Sequence, residues 1–171
     1  MTRKQIYIAG PDVFLRGAAE YYATVSKLLE DKGFTGVPPS DGGMPLNPLD
    51  TKENAFRIYN ANIDIINKCD LVLANINEFR GCEPDSGTCF EIGYAVAKGI
   101  PVICYIDDDL HYHDRVERRW GSFEDNGNLY DCLHDMHIEK MGLHVNLMIA
   151  CSSHIEIGLD NAIEHIIRKY A

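Results

Sequence analysis

Two adjacent stretches decide how this chain folds: Leu71–Ile76, LVLANI, and Phe79–Pro101, FRGCEPDSGTCFEIGYAVAKGIP. The first is a short, nearly unbroken apolar run, the pattern of a strand buried on both faces of a parallel sheet. In the second, Asp85 or Ser86 is placed to cap a helix from about Gly87 to Lys98, which Gly99 and Pro101 stop. On that helix Thr88, Glu91 and Ala95 share one face, and Phe90, Tyr94 and Ala97 share another. Two carboxylates, Asp85 and Glu91, therefore flank a strand-to-helix turn, the place where open α/β sheets bind ligands. Spacing alone admits a plainer reading, in which Asp85 is only a cap and Glu91 a solvated early-helix carboxylate whose ionised form the helix dipole favours. The flanking Phe90 and Ile92 point instead to a covered carboxylate, which requires a chemical reason.

Working outward, Gln5–Ala9 (QIYIA) reads as the first strand and runs into Gly10-Pro11-Asp12, which suits either a ligand-facing loop or an ordinary turn. Helical spacing over 18–32 ends at Gly33, and Phe34–Val37 reads as a second strand. The Pro-, Gly- and Asp-rich segment Pro38–Asp50 is a long loop of the kind that serves as a lid. A helix over 52–68 carries an apolar stripe of Phe56, Tyr59, Ile63 and Ile66, with Asn62 beside it; by pattern Asn62 is a surface amide. Val102–Ile106 is another buried strand. The polar run from Asp107 to Asn128, with the sole tryptophan Trp120, reads as an insertion or mobile loop outside the core. A short strand at His154–Ile157 and a helix over 160–170 close the chain. This alternation predicts a single α/β domain over 1–171: a doubly wound, flavodoxin/Rossmann-like, five-stranded, mostly parallel sheet with helices on both faces.

Composition narrows the function. The 171 residues, 46% hydrophobic and 25% charged, suffice for one real core. The net charge of −10 argues against a nucleic-acid polymer as partner, because no surplus of Lys and Arg exists to displace its counterions. No apolar run is long enough to cross a membrane, and no targeting segment is read before the first strand, so a cytoplasmic location is expected. The six cysteines include no CxxC pair and are read as reduced, mostly buried groups. His111, His113, His134 and His137, with Cys132 nearby, lack a paired ligand spacing, and no metal is assigned to them. There is no phosphate loop, no dinucleotide fingerprint and no nucleophile elbow. What remains is carboxylate chemistry in a crevice, where a carboxylate attacks a sugar carbon and forms a covalent glycosyl intermediate.

Four blocks then carry a resemblance: Tyr7-Ile8-Ala9-Gly10-Pro11; Asn62, eight residues before Asp70; Phe79-Arg80-Gly81 through Asp85, Gly87-Thr88, Glu91 and Gly93; and Asn146-Leu147-Met148. In this order the chain resembles the nucleoside 2-deoxyribosyltransferase family. The resemblance implies transfer of 2-deoxyribose between nucleobases with no metal or organic cofactor, 2'-deoxyribonucleosides and free bases being the partners. By position Glu91 is the nucleophile, Tyr7 holds its carboxylate, and Asp85 binds the sugar hydroxyls. Gly10, Pro11, Asp12, Phe14, Arg80 and Gly87 are expected around the substrate. Asn146 and Met148 are expected to be donated by a neighbouring subunit, which requires a homodimer or larger homo-oligomer. Several family members carry Asp where Asn62 stands; an amide can hydrogen-bond a base edge but has no titrating proton, so either Asn62 only positions the base, the favoured reading, or another acid such as Asp12 or Asp64 protonates it. Two alternatives remain. One is a hydrolase of deoxynucleosides or their 5'-monophosphates, supported by Arg16 and Arg80 and opposed by Asp12. The other is a nucleoside-binding module without turnover.

Overall fold

The computed structural model describes residues 3–40 and 51–171. Strand β1 (Gln5–Ala9) is followed by a 3-10 turn (Pro11–Phe14), helix α1 (Ala18–Asp31) and strand β2 (Thr35–Val37). Then come α2 (Lys52–Ile66), β3 (Leu71–Asn75), α3 (Ser86–Ala97) and β4 (Val102–Ile106). An appended layer holds α4 (Tyr112–Trp120), β5 (Ser122–Asp125) and β6 (Asn128–Asp131). The chain closes with α5 (Leu147–Ala150), β7 (His154–Ile157) and α6 (Leu159–Tyr170).

The main sheet has the order β2-β1-β3-β4-β7, and every pairing in it is parallel, so the expected "mostly parallel" sheet is wholly parallel. Period-2 alternation divides the strands between two cores. Ile6 and Ile8 of β1 pack with Tyr22, Val25 and Leu29 of α1 and Ile163 and Ile166 of α6. Tyr7 and Ala9 face the other way, against Ile66 of α2 and Ile92 and Ala95 of α3. All five residues of β3 and of β4 are buried, as an apolar run in a doubly covered sheet requires. Each fully buried Ile or Leu contributes about 1.5–3 kcal/mol, so this two-sided core dominates stability.

The structure corrects the sequence reading at two places. The run from Asp107 to Asn128 is ordered secondary structure with a small core of its own, in which Cys82, Val116 and Ile138 pack with Tyr112, Trp120 and Leu129. Its buried charge is paired within the layer. Arg115, 1% exposed, pairs with Asp108 Oδ1 at 2.6 Å and donates to the Leu110 carbonyl at 2.9 Å. Asn126 (φ 50°) and Gly127 (φ 80°) turn the β5–β6 hairpin, since two successive left-handed residues match the twist of the paired strands. On α2 the expected stripe splits: Ile66 is buried, whereas Phe56 and Tyr59 are exposed, Tyr59 lying 5.9 Å from the ring of Phe90. The segment Val145–Ile149 becomes the N-cap and first turns of α5, with Asn146 Oδ1 accepting from the Met148 N–H. Of the loop read as a lid, residues 41–50 lie outside the described residues.

Candidate active site

The connections from β1 and β3 leave toward opposite faces of the sheet, so a crevice opens beyond their carboxyl ends. There a cavity of about 760 Å³ is lined by the turn after β1 (Gly10, Val13, Phe14), the start of α1, Ser40 after β2, Ile58 and Asn62 of α2, and Asp85, Gly87, Thr88 and Glu91 at the start of α3. A cavity of that size accommodates a small polar organic ligand.

Glu91 is partly buried in the second turn of α3, beside the fully enclosed Tyr7. The Tyr7 hydroxyl donates to Glu91 Oε1 at 2.5 Å. This contact follows from the alternation of β1, which turns position 7 toward α3 while its neighbours face α1. Burial pushes the Glu91 carboxyl up to about 7; the Tyr7 hydrogen bond opposes the rise, and the negative Asp85 adds to it. Burial also raises Tyr7 far above the ordinary phenol range, next reinforced by the adjacent Glu91, so Tyr7 stays protonated and remains a donor. The expectation that the helix dipole keeps Glu91 ionised fails, because the dipole acts within the first turn and Glu91 lies beyond it. Desolvation wins.

Asp85 caps α3. Its Oδ2 accepts from the Thr88 N–H at 2.9 Å and from Thr88 Oγ1 at 3.1 Å. Both bonds use one oxygen, and Oδ1 accepts none among the described residues, leaving an acceptor beside the cavity. The cap reading and the binding reading of Asp85 are thus geometrically compatible.

Asn62 lines the cavity with Oδ1 already accepting from the Ser40 N–H at 2.8 Å, so its amide NH₂ is the group left for a ligand. Phe14 lines it from the turn after β1, stacked on Phe79 at 5.3 Å, and the Arg80 guanidinium covers Phe79 at 4.6 Å. Arg80 itself is outside the lining and acts on the cavity only through that stack.

Four further expected residues do not reach the lining. Pro11 shapes the turn. Asp12 is buried below it, with both carboxylate oxygens accepting from Asn75 Nδ2 at 3.2 and 3.0 Å, and burial raises its carboxyl. Asn146 and Met148 lie on α5 away from the cavity, Met148 being 70% exposed. Asp64, the other acid considered for the leaving base, is exposed on α2 and also absent from the lining. Gly10 is required by close approach: a Cβ there would stand 2.5 Å from Asp12 Oδ2 and 2.8 Å from Asn75 Cβ.

Sequence reasoning missed the α1 wall. Tyr22 lines the cavity, and its enclosed hydroxyl makes no close hydrogen bond among the described residues. The available signal was topological, since the helix that follows β1 must begin at the crevice. Among the described residues, metal-capable side chains gather at His111, His113 and Asp114 and at His154, Glu156 and His165, both outside the cavity lining. His134 and His137 are engaged elsewhere, with Asp131 and with the Tyr130 ring. No described helix is long and apolar enough to cross a membrane.

Comparison with known proteins agrees with this geometry. The family model described as nucleoside 2-deoxyribosyltransferase matches residues 6–148. Over 98% of its length the chain superposes on 99% of a solved 2-desoxiribosyltransferase from Leishmania mexicana, with a TM-score of 0.75 and 31% identity. A solved 2-deoxyribosyltransferase from Bacillus psychrosaccharolyticus shares the fold at TM-score 0.62 and 18% identity, covering 93% of this chain and 90% of that one. An uncharacterized protein of Schizosaccharomyces pombe is 28% identical over 122 residues, which are 68% of this chain; the match spans 58% of that curated relative.

Proposed function

The chain belongs to the nucleoside 2-deoxyribosyltransferase family, and from that premise we propose that it moves 2-deoxyribose between nucleobases through a covalent deoxyribosyl-Glu91 intermediate. The observation that carries this reading is the Tyr7–Glu91 hydrogen bond of 2.5 Å at a cavity that also presents Asp85. In the first half-reaction a Glu91 carboxylate oxygen bonds to the anomeric carbon, and the departing base keeps the electron pair of the glycosidic bond. The missing 2-hydroxyl leaves the oxocarbenium-like transition state less destabilised, so one held carboxylate suffices to trap it. In the second half-reaction another base attacks the same carbon from the opposite side and releases Glu91, giving overall retention.

Tyr7 fixes the carboxylate without competing for the proton. Asp85 Oδ1 receives sugar hydroxyls, and the Tyr22 ring forms part of the wall beside the substrate. Asn62 orients the base edge with its NH₂. Among the described residues the lining offers no acid besides Asp85 and Glu91, and the leaving base takes its proton from water. The chemistry needs no cofactor. Asn146 and Met148, which do not line their own cavity, complete the site of a neighbouring subunit in a homo-oligomer, in which the exposed Phe56, Tyr59 and Phe90 provide apolar contact area. This reading gives the protein a place in cytoplasmic nucleoside salvage.

Incubation with one 2'-deoxyribonucleoside and a different free base tests it. Chromatography should show the exchanged deoxynucleoside; release of free deoxyribose alone would make the protein a hydrolase. Mixing inactive Glu91→Ala and Asn146→Ala proteins should restore part of the activity by pairing intact half-sites, and mixtures that stay inactive would refute shared sites.

A further inference from the structure

On the far side of the sheet, β7 and α6 bring three metal-capable side chains together. His154 and Glu156, two residues apart on edge strand β7, project to the same face. His165 of α6 meets them from above. Glu156 Oε1 lies 2.8 Å from His154 Nε2 and 3.1 Å from His165 Nδ1, and the two imidazole rings stack with centroids 3.7 Å apart. The three donor atoms fall within 4.8 Å of one another.

As a purely hydrogen-bonded cluster this arrangement is economical for neither ring. Two imidazoles direct nitrogens at a single carboxylate oxygen, and protonating both would stack two cations face to face. His165 Nε2 is buried with no hydrogen-bond partner among the described residues, so Nδ1 is the nitrogen turned toward Glu156 and placed to meet an ion. The neutral ring is the form a metal requires. Tetrahedral zinc with bonds of about 2.0–2.2 Å sets its donor atoms about 3.3 Å apart, so the spacings of 2.8 and 3.1 Å from Glu156 Oε1 to the two ring nitrogens need to open by about half an ångström or less. The half-exposed His154 side leaves a direction for a water ligand. The one competing cation, Arg168, reaches no closer than 3.7 Å to Glu156 Oε1 and is 69% exposed, free to turn into solvent.

We propose that His154, Glu156 and His165 form a binding site for a divalent transition ion of the zinc class, joining edge strand β7 to helix α6. Two imidazoles and one carboxylate suit zinc, cobalt and nickel and disfavour magnesium and calcium, which take oxygen donors. Binding through His154 Nε2 and His165 Nδ1 leaves each neutral ring with its one proton on the opposite nitrogen. The site lies outside the cavity, and its existence is independent of the sugar-transfer reading.

The test is equilibrium dialysis of chelator-treated full-length protein against zinc, with cobalt absorption as the report on coordination. One ion per chain is expected, with a tetrahedral cobalt spectrum and a melting temperature raised by zinc. Loss of an outer partner of a metal ligand costs about 10–100-fold in affinity, so removing a ligand outright in Glu156→Gln or His154→Ala should cost at least about 100-fold. His154 is half exposed, so its variant folds even if His165→Ala does not. His113→Ala, in the other histidine group, should bind as the parent does. Absence of binding, binding that survives Glu156→Gln and His154→Ala, or binding lost in His113→Ala would each overturn the proposal.

Discussion

Replacing Tyr7 by Phe removes one hydroxyl from the core and leaves the ring packed between β1 and α3. The hydroxyl matters because its hydrogen bond is what opposes the burial-driven rise of Glu91, which still stands at about 7. A hydrogen bond to a charged group contributes about 1.5–3 kcal/mol, and each 1.36 kcal/mol corresponds to one pH unit of proton affinity. Without it, the pH at which Glu91 is half ionised should climb by about one to two pH units. A nucleophile works ionised, so kcat/KM of the parent protein should rise with pH and level off above about 7. In Tyr7→Phe that rise should move to higher pH. At neutral pH the loss should be roughly 5- to 50-fold, following the fall in ionised fraction, and much of it should return under alkaline conditions. The assay is initial-rate base exchange at low substrate across the pH range. A Tyr7→Phe profile with the parent midpoint, or one moved to lower pH, would refute the assignment of Tyr7 as the group that keeps Glu91 ionisable.

Three other substitutions probe the same region. Glu91→Gln should abolish exchange and yet stabilise the fold at alkaline pH. The folded carboxyl is raised from its ordinary 4.5 to about 7, so the stability this group confers is full below 4.5 and is lost as pH rises through 7. Gln does not titrate, and the variant should exceed the parent by about 2–3 kcal/mol at pH 8, with no such gain at pH 4.5, in urea unfolding. Gly10→Ala should destabilise by about 1–3 kcal/mol, since its methyl collides with Asp12 Oδ2 and with the unyielding Asn75 Cβ, and it should also weaken substrate binding by shifting the turn that carries Phe14. Tyr22→Phe should leave both the melting temperature and KM for the nucleoside near those of the parent, because the hydroxyl is enclosed away from the cavity and makes no close hydrogen bond among the described residues.

The fold was legible because its signals were local and undiluted. LVLANI and VICYI admit little besides strands covered on both faces, and Gly33, Gly99 and Pro101 mark helix ends that the structure places within a residue or two. The appended layer was not legible by polarity. Arg115 reads as solvent-facing but is enclosed by its pairing with Asp108, and a count of charges cannot reveal which of them are satisfied inside. Its one clear sequence signal was Asn126-Gly127, a hairpin turn by composition. At the cavity, Glu91 and Asp85 were visible as a pair beside a turn, and Tyr7 entered through the resemblance. The protonation balance of Glu91 was not visible, because it depends on how far α3 buries its second turn. Asp12 was misplaced for a related reason: its position after β1 suggested the cavity, whereas the absent side chain of Gly10 lets it fold beneath the turn onto Asn75.

The complete enclosure of Tyr7 has a kinetic consequence. Glu91 has a wall of core side chains behind its partner and an opening only on the cavity side, so its proton comes and goes by the same door as the substrate. A nucleoside that enters while Glu91 is protonated blocks its own activation until it leaves. Acid should therefore act on this protein as an occupant does, trapping a filled but idle form, and raising the substrate concentration should not rescue it.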